Sequence, residues 1–242
     1  MKNLFRYDDK RVVITGASSG MGEATARLVH DLGAEVIAID IQPPPYDFAE
    51  YFELDLRDES AIDGFVAGLA DARVHNLFYC AGLPGQKFPA VDVVTVNFIA
   101  QRHMIEAIVP QMEKGDAICS VSSGAGMGYA FFGVQLNPFL ALQDFSAARE
   151  WVGQHEGEGW FEPYSFSKML AEKEAWKICA LQDRWDLVVI NPSLVIGPGI
   201  NPTGTSESFN LIRQFGDGSA EHPGGAIAIS LTVADDTPGG NP

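Results

Sequence analysis

The sequence is 242 residues long, 46% apolar and 20% charged, with 32 acidic against 16 basic side chains and a formal net charge of −16. That length suits one domain, 1–242, and that apolar share suits a packed core, so wholesale disorder, a collagen-like repeat and a coiled coil are excluded. The carboxylate excess repels phosphate polymers, which argues against nucleic acid and anionic membrane surfaces as partners; any phosphate the chain binds must be held by backbone dipoles or a few placed cations.

Met1 to Lys10 carry both signs of charge and no long apolar stretch, unlike a secretory signal, and no window reaches the run of about 18 apolar residues of a spanning helix. A cytoplasmic setting is expected. Val12 to Thr15 read as a buried strand and residues 20–33 as a helix, joined by Thr15-Gly16-Ala17-Ser18-Ser19-Gly20-Met21-Gly22. Glycines there let the backbone approach a pyrophosphate, and a helix N-terminus supplies free amides and a positive dipole end. Gly16, Ser18, Ser19, Gly20, Met21 and Gly22 are therefore candidate cofactor contacts.

Val36 to Ile39 form the second strand, closed by Asp40, whose carboxylate can accept from ribose hydroxyls and repels a 2′-phosphate. Neither Ile41 nor Gln42 after it is basic, so NAD is expected over NADP. An Asp capping the turn before Pro43 is a compatible role. Asp55 and Leu56 follow a third strand, where a carboxylate can meet the adenine amino group, and residues 59–71 read as a helix. Leu77 to Cys80 end in the small residues Cys80, Ala81 and Gly82, which admit a ribose. The next helix, 92–109, carries Asn97 and is stopped by Pro110.

Ala117 to Val121 form the fifth strand, followed by Ser122 and Ser123. Residues 124–163 then separate strand from helix by far more than the usual few residues. Within them an amphipathic helix is expected from Pro138 to Gln154, capped by Asn137, with Leu142, Phe145, Ala148 and Val152 as its stripe. Phe131, Phe132, Phe139 and Trp151 either line an apolar pocket or form the insertion's own small core. Tyr164 and Lys168 open a helix over 164–182 and share one face, where the ammonium favours the phenolate of its neighbour and lets the pair exchange a proton with an alcohol. Leu187 to Ile190 are the sixth strand. The tail from Gly197 is rich in Gly, Pro, Ser and Thr, with Ala226 to Val233 reading as a strand. Cys80, Cys119 and Cys179 and the five histidines lack ligand spacing, so buried thiols and no metal are expected. The alternation as a whole indicates an α/β, Rossmann-type doubly wound parallel sheet, a three-layer sandwich with a partly helical insertion.

These motifs, in this order over roughly residues 10 to 195, resemble the short-chain dehydrogenase/reductase family. The resemblance implies Tyr164 as acid/base and Lys168 as the residue that lowers its pKa and binds the nicotinamide ribose. It implies Ser123, by register, as the hydroxyl that orients the substrate oxygen, and Asn97 as the holder of a relay water. The 41-residue separation of Ser123 and Tyr164 is similar to the bacterial 3α-hydroxysteroid dehydrogenase and coniferyl-alcohol dehydrogenase branch. Residues 191–199 look more like the extended, dihydroflavonol reductase branch, with Pro192 and Val195 as nicotinamide contacts. The implied activity is NAD-dependent interconversion of a secondary or benzylic alcohol and its carbonyl, in a homo-oligomer, dimer or tetramer. An extended-type reductase of an aromatic ketone or CoA thioester, and an NAD-binding module without catalysis, are the alternatives.

Overall fold

A computed structural model describes residues 6–69, 72–85, 87–126 and 138–192, and the backbone of 194–196 and 231–233. The chain divides into two compact units, Met1–Asn191 and Pro192–Pro242.

The first unit runs β1 (Arg11–Thr15), α1 (Gly20–Asp31), β2 (Glu35–Asp40), β3 (Glu50–Glu53), α2 (Glu59–Leu69), β4 (Asn76–Tyr79), α3 (Ala90–Val94), a π-helical turn (Thr95–Ile99), α4 (Ala100–Ile108), β5 (Asp116–Val121), α5 (Phe145–His155), α6 (Pro163–Cys179) and β6 (Trp185–Ile190). The strands form one parallel sheet in the order β3-β2-β1-β4-β5-β6. This is the doubly wound, Rossmann-like α/β fold, and the order reverses between β1 and β4, where such sheets open a crevice at the carboxyl ends of their strands.

Side-chain alternation along β1 divides the core between two faces. Val12 and Ile14 pack with Ala26 and Val29 of α1 and with Val36 and Ala38 of β2. Val13 points the other way, into the larger core shared with α2, α4, α5 and α6. On the edge strand β6, Val188 and Ile190 remain about half exposed.

The third expected helix is divided by the π-helical turn into α3 and α4, and Pro110 ends it by tightening the chain into a 3₁₀ turn at Val109–Gln111. The fourth strand stops at Tyr79, one residue earlier than expected. The helix expected from Pro138 to Gln154 is interrupted. Residues 138–140 are helical and 141–144 are not, and α5 starts afresh at Phe145, because the Asp144 carboxylate accepts from the Ala147 amide at 2.7 Å and caps a new N-terminus. Phe145, Ala148 and Val152 are buried as expected, while Leu142 lies in the connection. Asn137, the expected cap, lies outside the described residues, as do Phe131 and Phe132.

In the second unit β7 (Leu194–Ile196) pairs in parallel with β8 (Leu231–Val233), Val195 opposite Thr232. The strand expected over 226–233 is thus described for its last three residues only; the rest of the tail, 197–230 and 234–242, lies outside the described residues. Among the described residues no helix is long and apolar enough to cross a membrane.

Candidate active site

The turn between β1 and α1 depends on three glycines for different reasons. Gly16 has φ +72°, and a Cβ on it would stand 2.9 Å from Cα of Ala81, so this backbone touches the exit of β4 directly. Gly20 has φ +57° and faces open space. Gly22 lets α1 lie against β1, since a Cβ there would come within 2.0 Å of the Gly16 carbonyl oxygen. Ser19 takes the N-cap position of α1 without a side-chain hydrogen bond to the helix, so the first-turn amides have no capping oxygen. This is a cradle open to an anion at its dipole-positive end.

A cavity of about 280 Å³ begins at this turn. Its walls include Gly16, Ser19, Met21, Gly22, Asp40, Ile41, Asp55, Leu56, Cys80, Ala81 and Gly82, eleven of the residues expected to contact a dinucleotide. The carboxylate of Asp40 accepts from the Ser18 amide at 3.0 Å and from the Gln42 amide at 3.2 Å, so it ties the glycine turn to the end of β2 and also makes the local turn expected before Pro43. Thr15 adds a brace, its hydroxyl accepting from the Ala81 amide at 3.1 Å. Cys80 is half-buried rather than fully buried; desolvation pushes its thiol up to about 12, which keeps it protonated and unreactive. Cys119 and Cys179 are also half-buried and free.

Six lining residues were not foreseen. Ile39, Leu54, Leu83, Phe88 and Val96 add apolar surface. Arg57 adds a cation, gripped by Asp55 at 2.7 Å and by Asp92 at 2.9 Å. The guanidinium holds the Asp55 carboxyl below the usual carboxylate range, and the two carboxylates raise the guanidinium in turn. An Asp two residues before an Arg whose amide it can accept was the available sequence signal; here the Arg57 amide donates to Asp55 at 2.9 Å.

The reacting end is built where β4, β5, the π-helical turn and α6 meet. Glu162 caps α6 by accepting from the amides of Tyr164 and Ser165, with Pro163 at the first helical position, which fixes Tyr164 in the first turn and Lys168 one turn later. Lys168 is 5% exposed; its ammonium donates to the Val121 carbonyl at 2.9 Å, and burial lowers its pKa to about 8. Tyr164 is half-buried.

Two contacts fasten the exit of β5 to α6. The Ser122 hydroxyl donates to the Lys168 carbonyl at 3.0 Å, and Gly126 is close enough that a Cβ would meet Met169 at 3.1 Å. Ser122 is thereby buried and committed. Ser123 is half-exposed, its oxygen accepting from the Ala125 amide at 3.2 Å.

Asn97 sits in the π-helical turn, fully buried. Its amide accepts from Leu83 N at 2.7 Å and donates to Leu83 O at 3.0 Å and to Ser167 Oγ at 3.2 Å, so it clamps the chain leaving β4 against α6. Gly82 joins the two halves of the site. A Cβ placed on it would stand 3.2 Å from the Lys168 ammonium and 3.4 Å from Oδ1 of Asn97, and Gly82 itself lines the cavity.

Of the insertion's aromatics, Phe139 and Trp151 form a core and do not line the cavity. Phe139 contacts Phe98, Trp151 and Phe166, and Trp151 stacks on His155. Pro192 and Val195 belong to the second unit. Among the described residues no group of three His, Cys, Asp or Glu side chains could hold a metal.

The family model for the NAD dependent epimerase/dehydratase family matches residues 12–230. The chain is 31% identical to the coniferyl-alcohol dehydrogenase of a Pseudomonas species over 148 residues, 61% of this chain and 57% of that protein. It is 29% identical over 151 residues to the 3-alpha-hydroxysteroid dehydrogenase/carbonyl reductase of Comamonas testosteroni, 61% of this chain and 56% of that one. The matches thus span little more than half the length of these relatives. Among solved structures, 3-alpha-hydroxysteroid dehydrogenase from Pseudomonas sp. B-0831, complexed with NADH, is similar in fold with a TM-score of 0.61 at 21% identity, over 83% of this chain and 81% of that one. A short-chain dehydrogenase from Shigella flexneri 2a, complexed with NADP, has a TM-score of 0.57 at 20% identity, over 79% and 80%.

Proposed function

Since the chain belongs to the NAD dependent epimerase/dehydratase family, within the short-chain dehydrogenase/reductase group, we propose that it is an oxidoreductase that interconverts a secondary or benzylic alcohol and its carbonyl, with NAD as cofactor. The observation that carries this reading is Gly82, which lines the nucleotide cavity on one side and touches Lys168 and Asn97 on the other. Lys168 and Asn97 would then stand at the end of the cavity where a nicotinamide would lie.

The free amides at the start of α1 hold the pyrophosphate, and Gly16 and Gly22 let it approach. Asp40 accepts from the adenosine ribose. Its charge opposes a 2′-phosphate, and Arg57, the cation on the same cavity wall, already has its charge offset by Asp55 and Asp92. That supports NAD over NADP. The nicotinamide supplies a hydride acceptor or donor. Tyr164 takes the alcohol proton at Oη as a phenolate during oxidation and returns it as a phenol during reduction. Lys168, held by Val121, keeps a positive charge beside the site. The Ser123 hydroxyl donates to the substrate oxygen, and Asn97 keeps the Gly82 to Leu83 segment in place.

The second reading, carried by the run Asn191 to Gly199 that resembles the extended branch, is a reductase of an aromatic ketone or CoA thioester. NADH fluorescence titration followed by turnover assays on coniferyl alcohol, a 3α-hydroxysteroid and a dihydroflavonol separates the readings. Tyr164→Phe is expected to bind NADH as the wild type does and to lose turnover by about 10²-fold or more, the usual scale of a general acid/base. Full turnover in that variant would refute the proton-transfer role, and NADH binding without turnover on any substrate would favour a non-catalytic module.

A further inference from the structure

Four charged side chains outside the catalytic group connect the insertion to the nucleotide cavity. Leu54, Asp55, Leu56 and Arg57 form one wall of that cavity. The segment is shaped from within by Asp55, whose carboxylate accepts from the Arg57 amide at 2.9 Å and whose carbonyl accepts from Asp58 N at 3.0 Å. It is held from outside by α5, a helix of the insertion. Arg149 donates Nη1 to the Arg57 carbonyl at 3.2 Å, and its Nη2 stands 3.9 Å from Asp92, the same carboxylate that binds the Arg57 guanidinium at 2.9 Å. Two arginines and two aspartates thus close a neutral ring around the wall in a chain of strongly negative charge.

On the reading of this cavity as a dinucleotide site, the adenosine half lies against this wall, beyond Asp40. We propose that Arg149 is a positioning residue for cofactor binding: through it the insertion fixes the wall that receives the adenine. A loop held in its bound shape before the ligand arrives loses less entropy on binding. Without Arg149 the Arg57 carbonyl turns to water, and Asp55 and Asp92 hold the guanidinium without a tie from α5 to the segment. One hydrogen bond of this kind corresponds to about a 3- to 10-fold change in affinity.

A second tie between α5 and α3 supplies the control. The Ala90 amide donates to the Glu156 carboxylate at 3.4 Å and does not touch the 54–58 segment. A residue that merely fastened the insertion would affect stability, as Glu156 would, without selecting one half of the cofactor.

The experiment measures binding of NADH, AMP and reduced nicotinamide mononucleotide to the full chain and to Arg149→Met, which keeps the apolar stem, with Glu156→Ala beside it and thermal melting of each. Arg149→Met is expected to weaken AMP and NADH about 3- to 10-fold and to leave the mononucleotide unchanged, while Glu156→Ala changes none of the three. Arg149→Met that binds AMP as the wild type does, or that weakens AMP and the mononucleotide equally, would overturn the inference alone. A wild type that binds neither NADH nor AMP would overturn the cofactor reading and this inference with it. Should Arg149→Met fail to fold, Asp92→Asn, which removes the carboxylate shared by both arginines, is expected to weaken AMP at least 3-fold, and unchanged affinity there would be equally decisive.

Discussion

The ammonium of Lys168 donates to the main-chain carbonyl of Val121 at 2.9 Å, inside the junction of β5 and α6. Burial lowers its pKa to about 8, below the ordinary lysine value near 10.4. The folded protein therefore releases this proton first. Below pH 8 both states hold it and the full cost of burying the charge is present; between about pH 8 and 10.4 the unfolded chain binds more protons, so stability rises with pH across that window. The expected gain is on the order of 3 kcal/mol at about 1.4 kcal/mol per unit. Urea unfolding of wild type and Lys168→Met at pH 7 to 10.5 tests it. The wild-type curve should climb relative to the variant above pH 8, and parallel curves would show that the charge is not buried as described.

Gly20 and Gly22 predict opposite failures from the same substitution. Gly22→Ala drives a Cβ to within 2.0 Å of the Gly16 carbonyl, backbone against backbone, so α1 must move off β1. A loss of about 1–3 kcal/mol in stability is expected. Gly20→Ala meets no atom within 4 Å but must hold φ +57°, at about 1 kcal/mol. Its methyl group would enter the space where the pyrophosphate is expected, so it should fold and lose NADH affinity. Melting and NADH titration of both variants check the contrast, and full NADH affinity in Gly20→Ala would move the phosphate site elsewhere.

Much of this site was legible in the chain because parallel sheets write it locally. Gly16 to Gly22, Asp40 and Cys80 to Gly82 each follow a short apolar strand, and the fold brings strand ends together whatever their separation. Tyr164 and Lys168 stand out only beside the dinucleotide signals, since their helical spacing alone also marks an ordinary helix surface. Arg57 was not, because its place depends on Asp92 and Arg149, which come from two other elements and carry no local pattern. The start of α5 at Asp144 was missed for a different reason. Pro138 looked like a helix start, but an acidic cap six residues on competes for the same role, and only packing decides between two adequate starts. The break inside 92–109 is hidden in periodicity because Thr95 to Ile99 are all buried, so no exposed position marks the one-residue skip of a π-helical turn.

Asn97 offers a test of the clamp between β4 and α6. Asn97→Ala leaves Leu83 N, Leu83 O and Ser167 Oγ without this partner in a buried setting. A loss of about 2–4 kcal/mol is expected from two or three such groups. Asn97→Asp keeps the acceptor for Leu83 N and loses both donated bonds, so it should fall between the wild type and Asn97→Ala. Equal stability of all three by urea unfolding would mean that water replaces the amide freely and the clamp does not hold the strand exit.

Phe139 decides whether the insertion is an appendage or part of the core. Its ring is fully buried and contacts Phe98 of the π-helical turn, Trp151 of α5 and Phe166 of α6, which lies between Tyr164 and Lys168 in the chain. Removing the ring leaves a cavity shared by three elements that cannot all collapse into it, so Phe139→Ala should cost about 3–5 kcal/mol, and Phe139→Leu clearly less. Because Phe166 shares that cavity, the damage should reach α6 and lower turnover in the alanine variant at temperatures where it is still folded. Urea unfolding and turnover measured together separate the outcomes. A loss under about 1 kcal/mol would place the insertion outside the cooperative core. A large loss with turnover unchanged would show that Tyr164 and Lys168 are held by the Glu162 cap and the Val121 carbonyl alone.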